Sequence, residues 1–198
     1  MTRLGLTGGI GMGKSTAAEI LAKRGAKVSD SDQLARELVE PGQPALAEIV
    51  EVFGDGVLRE DGWLDRAKVG ELVFGDSAAR EKLEGILHPR IRDVRQARFD
   101  GWAAAGEWLA VAVIPLLFET RAEASFDRIV CVACSPEAQR ERLRERGWSD
   151  DQISSRLEAQ MAVDEKMKRS NHVVWTDGTI EAHAAQWDAL LSSWDVEA

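Results

Sequence analysis

Eight residues near the start of the chain, Gly8-Gly9-Ile10-Gly11-Met12-Gly13-Lys14-Ser15, follow the spacing G-x-x-x-x-G-K-S. That spacing suits the cradling of a polyphosphate. Glycines let successive backbone N–H groups turn toward phosphate oxygens with no side chain between them. A helix starting at about Gly13 adds the positive end of its dipole. Lys14 then reaches the β- and γ-phosphates, and the Ser15 hydroxyl is placed to ligate Mg²⁺. The chain is expected to bind a nucleoside triphosphate.

A second group narrows the reaction. Asp30-Ser31-Asp32 follows the second expected strand, which is read as the sheet edge next to the phosphate loop. An acceptor that is itself a phosphate needs no base. An alcohol, with a pKa far above 7, gains from a carboxylate that orients it and takes its proton. Asp30 fits the helix-capping role, leaving Asp32 for chemistry. A guanine-reading N-K-x-D element is excluded, because Asn171 is the only asparagine and His172 follows it. Cys131 and Cys134 stand in C-x-x-C spacing but fall on an apolar strand, where residues three apart point to opposite faces. They are expected to be buried structural thiols rather than a metal site.

The elements that must position these groups alternate. Strands are expected at Arg3–Thr7, Ala26–Ser29, Trp108–Ile114, Arg128–Cys134 and His172–Trp175, separated by helical stretches. This is the pattern of a parallel five-stranded α/β sheet with helices on both faces. Ala17, Ile20 and Leu21 give one apolar face to the helix after the loop, and Gly25 suits its end. The run 109–114 has no polar alternation, as expected of a central strand. The C-terminal stripe of Ile180, Ala184, Trp187, Leu191 and Trp194 reads as core packing. One domain is expected, with a core of about 1–32, 108–135 and 170–198. A helical insertion fills about 33–107, punctuated by Pro41-Gly42, Gly54-Asp55-Gly56 and Asp61-Gly62. A charged helical segment of about 136–169 follows the fourth strand. There, Arg140, Arg142, Arg144 and Arg146 alternate with acidic residues, mostly as surface pairs, with Arg144 assigned to Glu141.

The balance of 34 acidic against 25 basic residues, net −9, disfavours a nucleic-acid partner. No signal peptide or membrane segment is read, since the longest apolar run, 109–118, is short and contains Pro115. A cytoplasmic location is expected.

The chain resembles the dephospho-CoA kinases, P-loop kinases, over nearly its whole length. The resemblance is carried by Leu6-Thr7-Gly8-Gly9-Ile10-Gly11-Met12-Gly13-Lys14-Ser15-Thr16, then Asp30-Ser31-Asp32 with Ala35-Arg36 and Val39-Glu40-Pro41-Gly42. Asp61 to Arg66, Leu87-His88-Pro89, Pro115 to Glu119, Ser135-Pro136-Glu137 with Gln139 and Arg142, and Gln160 with Lys166 continue it. It implies transfer of the ATP γ-phosphate to the 3′-hydroxyl of dephospho-CoA, with Mg²⁺. It implies Asp32 as the catalytic aspartate beside Lys14, Gly11, Met12, Gly13, Lys14, Ser15, Thr16 and Arg142 as the ATP site, and a lid of about 136–169 that carries Arg142. Arg66 and His88 fall where the acceptor is received, though His88 before Pro89 equally suits capping or packing. Glu119 is either an organiser of Mg²⁺ through water or an ordinary loop carboxylate. Met12, Ser170-Asn171 and Trp175 depart from the family pattern. Met12 is expected to leave the loop's backbone donors unaffected; the others bear on adenine packing.

Two competing readings remain: a P-loop kinase of another alcohol, such as a nucleoside or small metabolite, and a nucleotide sensor. A small acceptor has no need of so long an insertion, and a sensor has no need of a base.

Overall fold

In a computed structural model, residues 1–195 are described, and the chain forms two compact units. The first unit comprises residues 1–28 together with the part of the chain from Trp102 onward. The five-stranded parallel sheet is built from β1 (Thr2–Thr7), β2 (Lys27–Asp30), β3 (Leu109–Val113), β4 (Arg128–Ala133) and β5 (His172–Trp175), in the order β2-β3-β1-β4-β5, with β2 spanning the boundary between the units at Val28. The expected strands thus all form. The loop-bearing β1 lies between β3, pairing from Thr2↔Leu109 to Leu6↔Val113, and β4, pairing from Leu4↔Arg128 to Thr7↔Cys131, while β2 lies at the edge beyond β3. All five residues of β3 are buried, which is why that run shows no polar alternation.

The two faces of β1 differ. Leu4 and Leu6 share an apolar cluster with Ala17, Ile20 and Leu21 of helix α1 (Lys14–Lys23) and Trp187 of the C-terminal helix Ile180–Asp195. Gly5 faces the other way, where an added Cβ would stand 2.7 Å from Leu117 Cδ1 and 3.0 Å from Phe126. On the C-terminal helix, Trp187 and Trp194 are buried and Ala184 and Leu191 pack against the core, but Ile180 is 66% exposed and leaves the expected stripe. Cys131 and Cys134 are free and buried, and burial pushes the Cys131 thiol up to about 11. Asn171 closes the start of β4, its Oδ1 accepting from Ile129 N–H at 2.7 Å. Gln186 holds the edge strand β5 by accepting from Trp175 N–H and donating to Trp175 O, at 2.9 and 2.8 Å.

The second unit, Ser29–Gly101, is helical: α2 (Ser31–Glu37), α3 (Pro44–Phe53), α4 (Arg66–Phe74) and most of α5 (Ser77–Ala104). Its core gathers Val39, Ala45, Leu46, Ile49, Val57, Val69 and Ile86. Asp61-Gly62 turns a tight hairpin whose Arg59 N–H donates to Trp63 O at 2.9 Å. Pro89 lies inside α5, where it can donate nothing to the preceding turn. The helix continues because neighbouring groups support it. Arg90 Nη1 donates to Ile86 O at 2.7 Å, and Arg90 Nη2 meets Glu48 of α3 at 2.5 Å. Arg98 likewise ties α5 to Glu37 of α2 at 2.6 Å.

In the first unit the chain continues through α6 (Pro136–Glu145), α7 (Asp150–Glu158) and α8 (Val163–Arg169) to β5 and then α9 (Ile180–Asp195). Among the described residues, no helix is long and apolar enough to cross a membrane.

Candidate functional site

The loop between β1 and α1 takes its shape from three glycines of positive φ: Gly8 (144°), Gly11 (76°) and Gly13 (86°). At Gly8 a Cβ would lie 2.2 Å from Val132 O, so close approach to β4 adds to the backbone requirement. Gly13 is the N-cap of α1 and offers no side-chain cap, leaving the first-turn N–H groups of Ser15 and Thr16 without an intrahelical acceptor. Such a helix end is an anion site. Lys14 Nζ donates to the loop carbonyls of Gly8 and Gly9 at 3.0 and 2.8 Å, so its ammonium is folded back over the cradle. Ser15 is exposed, its hydroxyl accessible in that same first turn.

Other elements lock the loop from outside. Gln139 of α6 donates to Ile10 O at 2.7 Å, and Gln160 Oε1 accepts from Ile10 N–H at 3.3 Å. Met12 is buried, and its sulfur accepts from Gly9 N–H at 3.3 Å. The expectation that Met12 leaves the loop donors unaffected is therefore corrected: its thioether occupies one of them.

Arg142 is not a loose surface cation. Its Nη1 donates to Thr176 Oγ1 at 2.8 Å, its Nη2 donates to Thr176 O, and Thr176 Oγ1 donates to Met12 O at 3.2 Å. The guanidinium is thereby fixed beside the phosphate loop. Ser135, the N-cap of α6, donates to Asp177 Oδ1 through its N–H at 2.8 Å and its hydroxyl at 2.6 Å, binding α6 to the segment after β5. Those two hydrogen bonds hold the Asp177 carboxyl below the usual carboxylate range. Arg144 pairs instead with Asp150, at 2.8 Å, and not with Glu141 as the helical spacing suggested.

These pieces enclose a cavity of about 310 Å³ whose walls include Gly11, Gly13, Thr16, Arg142, Thr176 and His183. Its size falls in the range of small-molecule sites. Trp175 and Asn171 are not among its lining residues, so neither departure bears on this space.

Glu119 is committed to structure. Its Oε1 lies 2.8 Å from Lys166 Nζ and accepts from Met161 N–H at 3.0 Å. Burial raises its pKa, but these hydrogen bonds and the lysine charge outweigh that and hold it below the ordinary value.

In the second unit, Asp30 is the N-cap of α2, its Oδ1 accepting from Asp32 N–H at 2.7 Å and Gln33 N–H at 3.2 Å. The capping role is as expected, and Asp32 is left as an exposed first-turn residue of α2. Arg66 opens α4 after the Asp65 N-cap, its pKa lowered by burial and then by the nearby charge of Arg36. His88 is exposed in mid-α5, so it neither caps nor packs. Sequence reasoning missed Thr176 and His183, which belong to no spaced motif. Gln139 and Gln160 entered only through the family resemblance.

The model of the family described as dephospho-CoA kinase matches residues 2–182. A dephospho-CoA kinase of Anaeromyxobacter dehalogenans is 48% identical over 193 residues, spanning 97% of this chain and 92% of the relative. One from Bacillus thuringiensis is 41% identical over 194 residues, spanning 98% and 97%. A crystal structure of TT1252 from Thermus thermophilus superposes with a TM-score of 0.84 at 32% identity, covering 97% of both chains.

Proposed function

This chain belongs to the dephospho-CoA kinase family, and from that premise we propose how its residues divide the work. The enzyme transfers the ATP γ-phosphoryl group to the 3′-hydroxyl of dephospho-CoA, giving coenzyme A. The triphosphate lies along Gly11–Thr16, its oxygens taking backbone N–H groups at the start of α1. Lys14 leaves the Gly8 and Gly9 carbonyls for the β- and γ-phosphates. The observation that supports this most is the exposed N-terminus of α1 opening on a cavity that Arg142 and Thr16 share.

Arg142, braced by Thr176, supplies fixed positive charge at the nucleotide, within a lid of about 136–169. Asp32 orients the acceptor hydroxyl and takes its proton as the new P–O bond forms and the bond from the γ-phosphorus to the β-phosphate oxygen breaks, releasing ADP. The helical insertion of about 33–107 receives the acceptor. Arg66 with Arg36 offers paired positive charge to its phosphates, and His88, exposed on α5, presents a further polar contact. In this reading Ser15 holds Mg²⁺ together with the nucleotide. The exposed Ser15 in the first turn of α1 fits such an ion, because nucleotide-borne Mg²⁺ needs only one or two protein ligands beside phosphates and water. When bound, it neutralises charge on the β- and γ-oxygens. A cytoplasmic enzyme of small-molecule substrates, without nucleic-acid or membrane partners, is the setting consistent with its acidic surface.

The test pairs ATP titration calorimetry with a transfer assay. Lys14→Ala should lose both triphosphate affinity and transfer, whereas Asp32→Asn should lose transfer alone. ATP binding that survives Lys14→Ala unchanged would remove the loop from the nucleotide site.

A further inference from the structure

His183 stands in the wall of the loop-side cavity, one turn into α9, and only 4% of it is exposed. Its neighbour Trp187, fully buried, donates its indole N–H to His183 Nε2 at 3.1 Å. An indole nitrogen can only donate, so Nε2 must accept, and a neutral imidazole that accepts at Nε2 carries its proton on Nδ1. Among the described residues no protein acceptor meets Nδ1–H. Nor is Nδ1 one of the side-chain atoms sealed away without a partner, which are Ser29 Oγ, Ser31 Oγ and Trp194 Nε1. The donor therefore opens onto the cavity that His183 lines.

The charge state is held as well. Burial, then the Arg142 guanidinium, keep the imidazole pKa below the ordinary histidine value, so the neutral form persists at pH 7. The result is a neutral donor of fixed direction. It lies in the same cavity as Gly11, Gly13 and Thr16, with the exposed apolar side chain of Ile180 in the same wall. With phosphates on the loop, the rest of the nucleotide occupies this space. A purine carries ring nitrogens that accept, and the apolar wall offers a surface to the ring itself.

We infer that His183 is a specificity residue of the nucleotide site, its Nδ1–H donating to a ring nitrogen of the purine. Trp187 is the positioning residue that fixes the tautomer. This rests on the reading that the triphosphate lies on the Gly11–Thr16 loop. A pyrimidine is too small to reach the same donor and leaves it buried and unmet, which lowers its affinity.

Calorimetric titration of the full chain tests this, using ATP, UTP and ATP analogues in which N1, N3 or N7 is replaced by CH one at a time. Wild-type protein should lose about tenfold in affinity for one of the three analogues, the scale of a single hydrogen bond in a closed site. His183→Leu should bind ATP about tenfold more weakly, lose its preference over UTP by the same factor, and no longer distinguish that analogue. His183→Asn, which keeps an N–H donor near the Nδ1 position, should recover most of the discrimination. The analogue series on the wild-type chain needs no variant, so poor folding of a variant cannot hide the answer. Equal wild-type affinity for all three analogues and ATP would overturn the assignment of His183. Unchanged ATP binding by Lys14→Ala would instead overturn the loop site on which it stands.

Discussion

Arg142 grips Thr176 at two atoms, its Nη1 donating to Oγ1 at 2.8 Å and its Nη2 to the carbonyl, and Thr176 Oγ1 in turn donates to Met12 O at 3.2 Å. A chain of hydrogen bonds thus runs from α6 through the segment after β5 into the phosphate loop. Arg144, two residues on, makes an exposed pair with Asp150 whose side chains are 54% and 64% exposed. Exposed pairs of that kind contribute little.

The expected contrast follows from those surroundings. Arg142→Ala should lower kcat/KM for ATP at least about tenfold, since it removes a charge-assisted, two-pronged contact beside the loop. Arg142→Lys should rescue only part, because an ammonium cannot reproduce the fork. Arg144→Ala should leave kinetics within about twofold. Steady-state kinetics with ATP as the varied substrate checks this; equal, small effects in both alanine variants would reduce Arg142 to surface.

Lys14→Ala should reduce turnover by about a thousandfold or more, the scale of losing a fixed cation at the transferred phosphoryl group. The fold should tolerate it. Lys14 Nζ meets loop carbonyls in a part-buried setting, so the melting temperature should move by no more than a few degrees. Turnover near the wild-type value would mean that this loop is not where transfer occurs.

Acid stability should depend on Glu119. Its folded-state pKa is lowered from the ordinary 4.5, the net of burial raising it and the Lys166 and Met161 hydrogen bonds and lysine charge lowering it further. A depressed carboxyl contributes stability that is fully present above the unfolded pKa and is lost as pH falls through the folded one. Denaturant titrations at neutral pH and from pH 5 downward should therefore show Glu119→Gln less stable than wild type at neutrality, with the difference closing as pH falls below the ordinary 4.5 and through the lowered folded-state value. Lys166 is fully buried and also donates to Pro115 O at 2.6 Å. Lys166→Met, which strands both acceptors, should cost about 2–4 kcal/mol. A difference between wild type and Glu119→Gln that stays constant across pH would contradict the linkage.

Sequence alone carried the elements whose signal is local. The phosphate loop, the uninterrupted β3 and the Asp30 cap each follow from a few neighbouring residues, and each is found as expected. What was not legible depends on residues far apart in the chain. Strand order placed β3 beside β1, because pairing is decided by how apolar faces pack and not by chain order. Pro89 sits inside an unbroken α5 that Arg90 and Glu48 support around it, and neither partner is recognisable from the residues beside the proline. Arg144 had an acidic neighbour at helical spacing but found Asp150 across a turn. Thr176 joins Arg142 to Met12 across 34 and 164 positions of sequence, a relationship no spacing rule contains.

Asp30 and Asp32 stand two residues apart, and their different surroundings separate binding, chemistry and stability in one experiment. Asp30 Oδ1 accepts from two backbone N–H groups and so is occupied as a cap. Asp30→Ala should cost about 1 kcal/mol of stability, while Asp30→Asn, an equally good cap, should cost little. Neither should abolish transfer. Asp32 is exposed in the first turn of α2 and is the carboxylate proposed above to take the acceptor proton. Asp32→Asn keeps the shape and removes the base. ATP affinity by calorimetry should change little if, as proposed, the phosphate loop holds the nucleotide. The rate of transfer to dephospho-CoA should fall by about a hundredfold to ten-thousandfold. The loss should appear in kcat more than in KM, since the proton leaves only as the acceptor oxygen attacks. If Asp30→Asn abolished transfer and Asp32→Asn stayed active, the base would be Asp30, and the cap would have to be released during turnover.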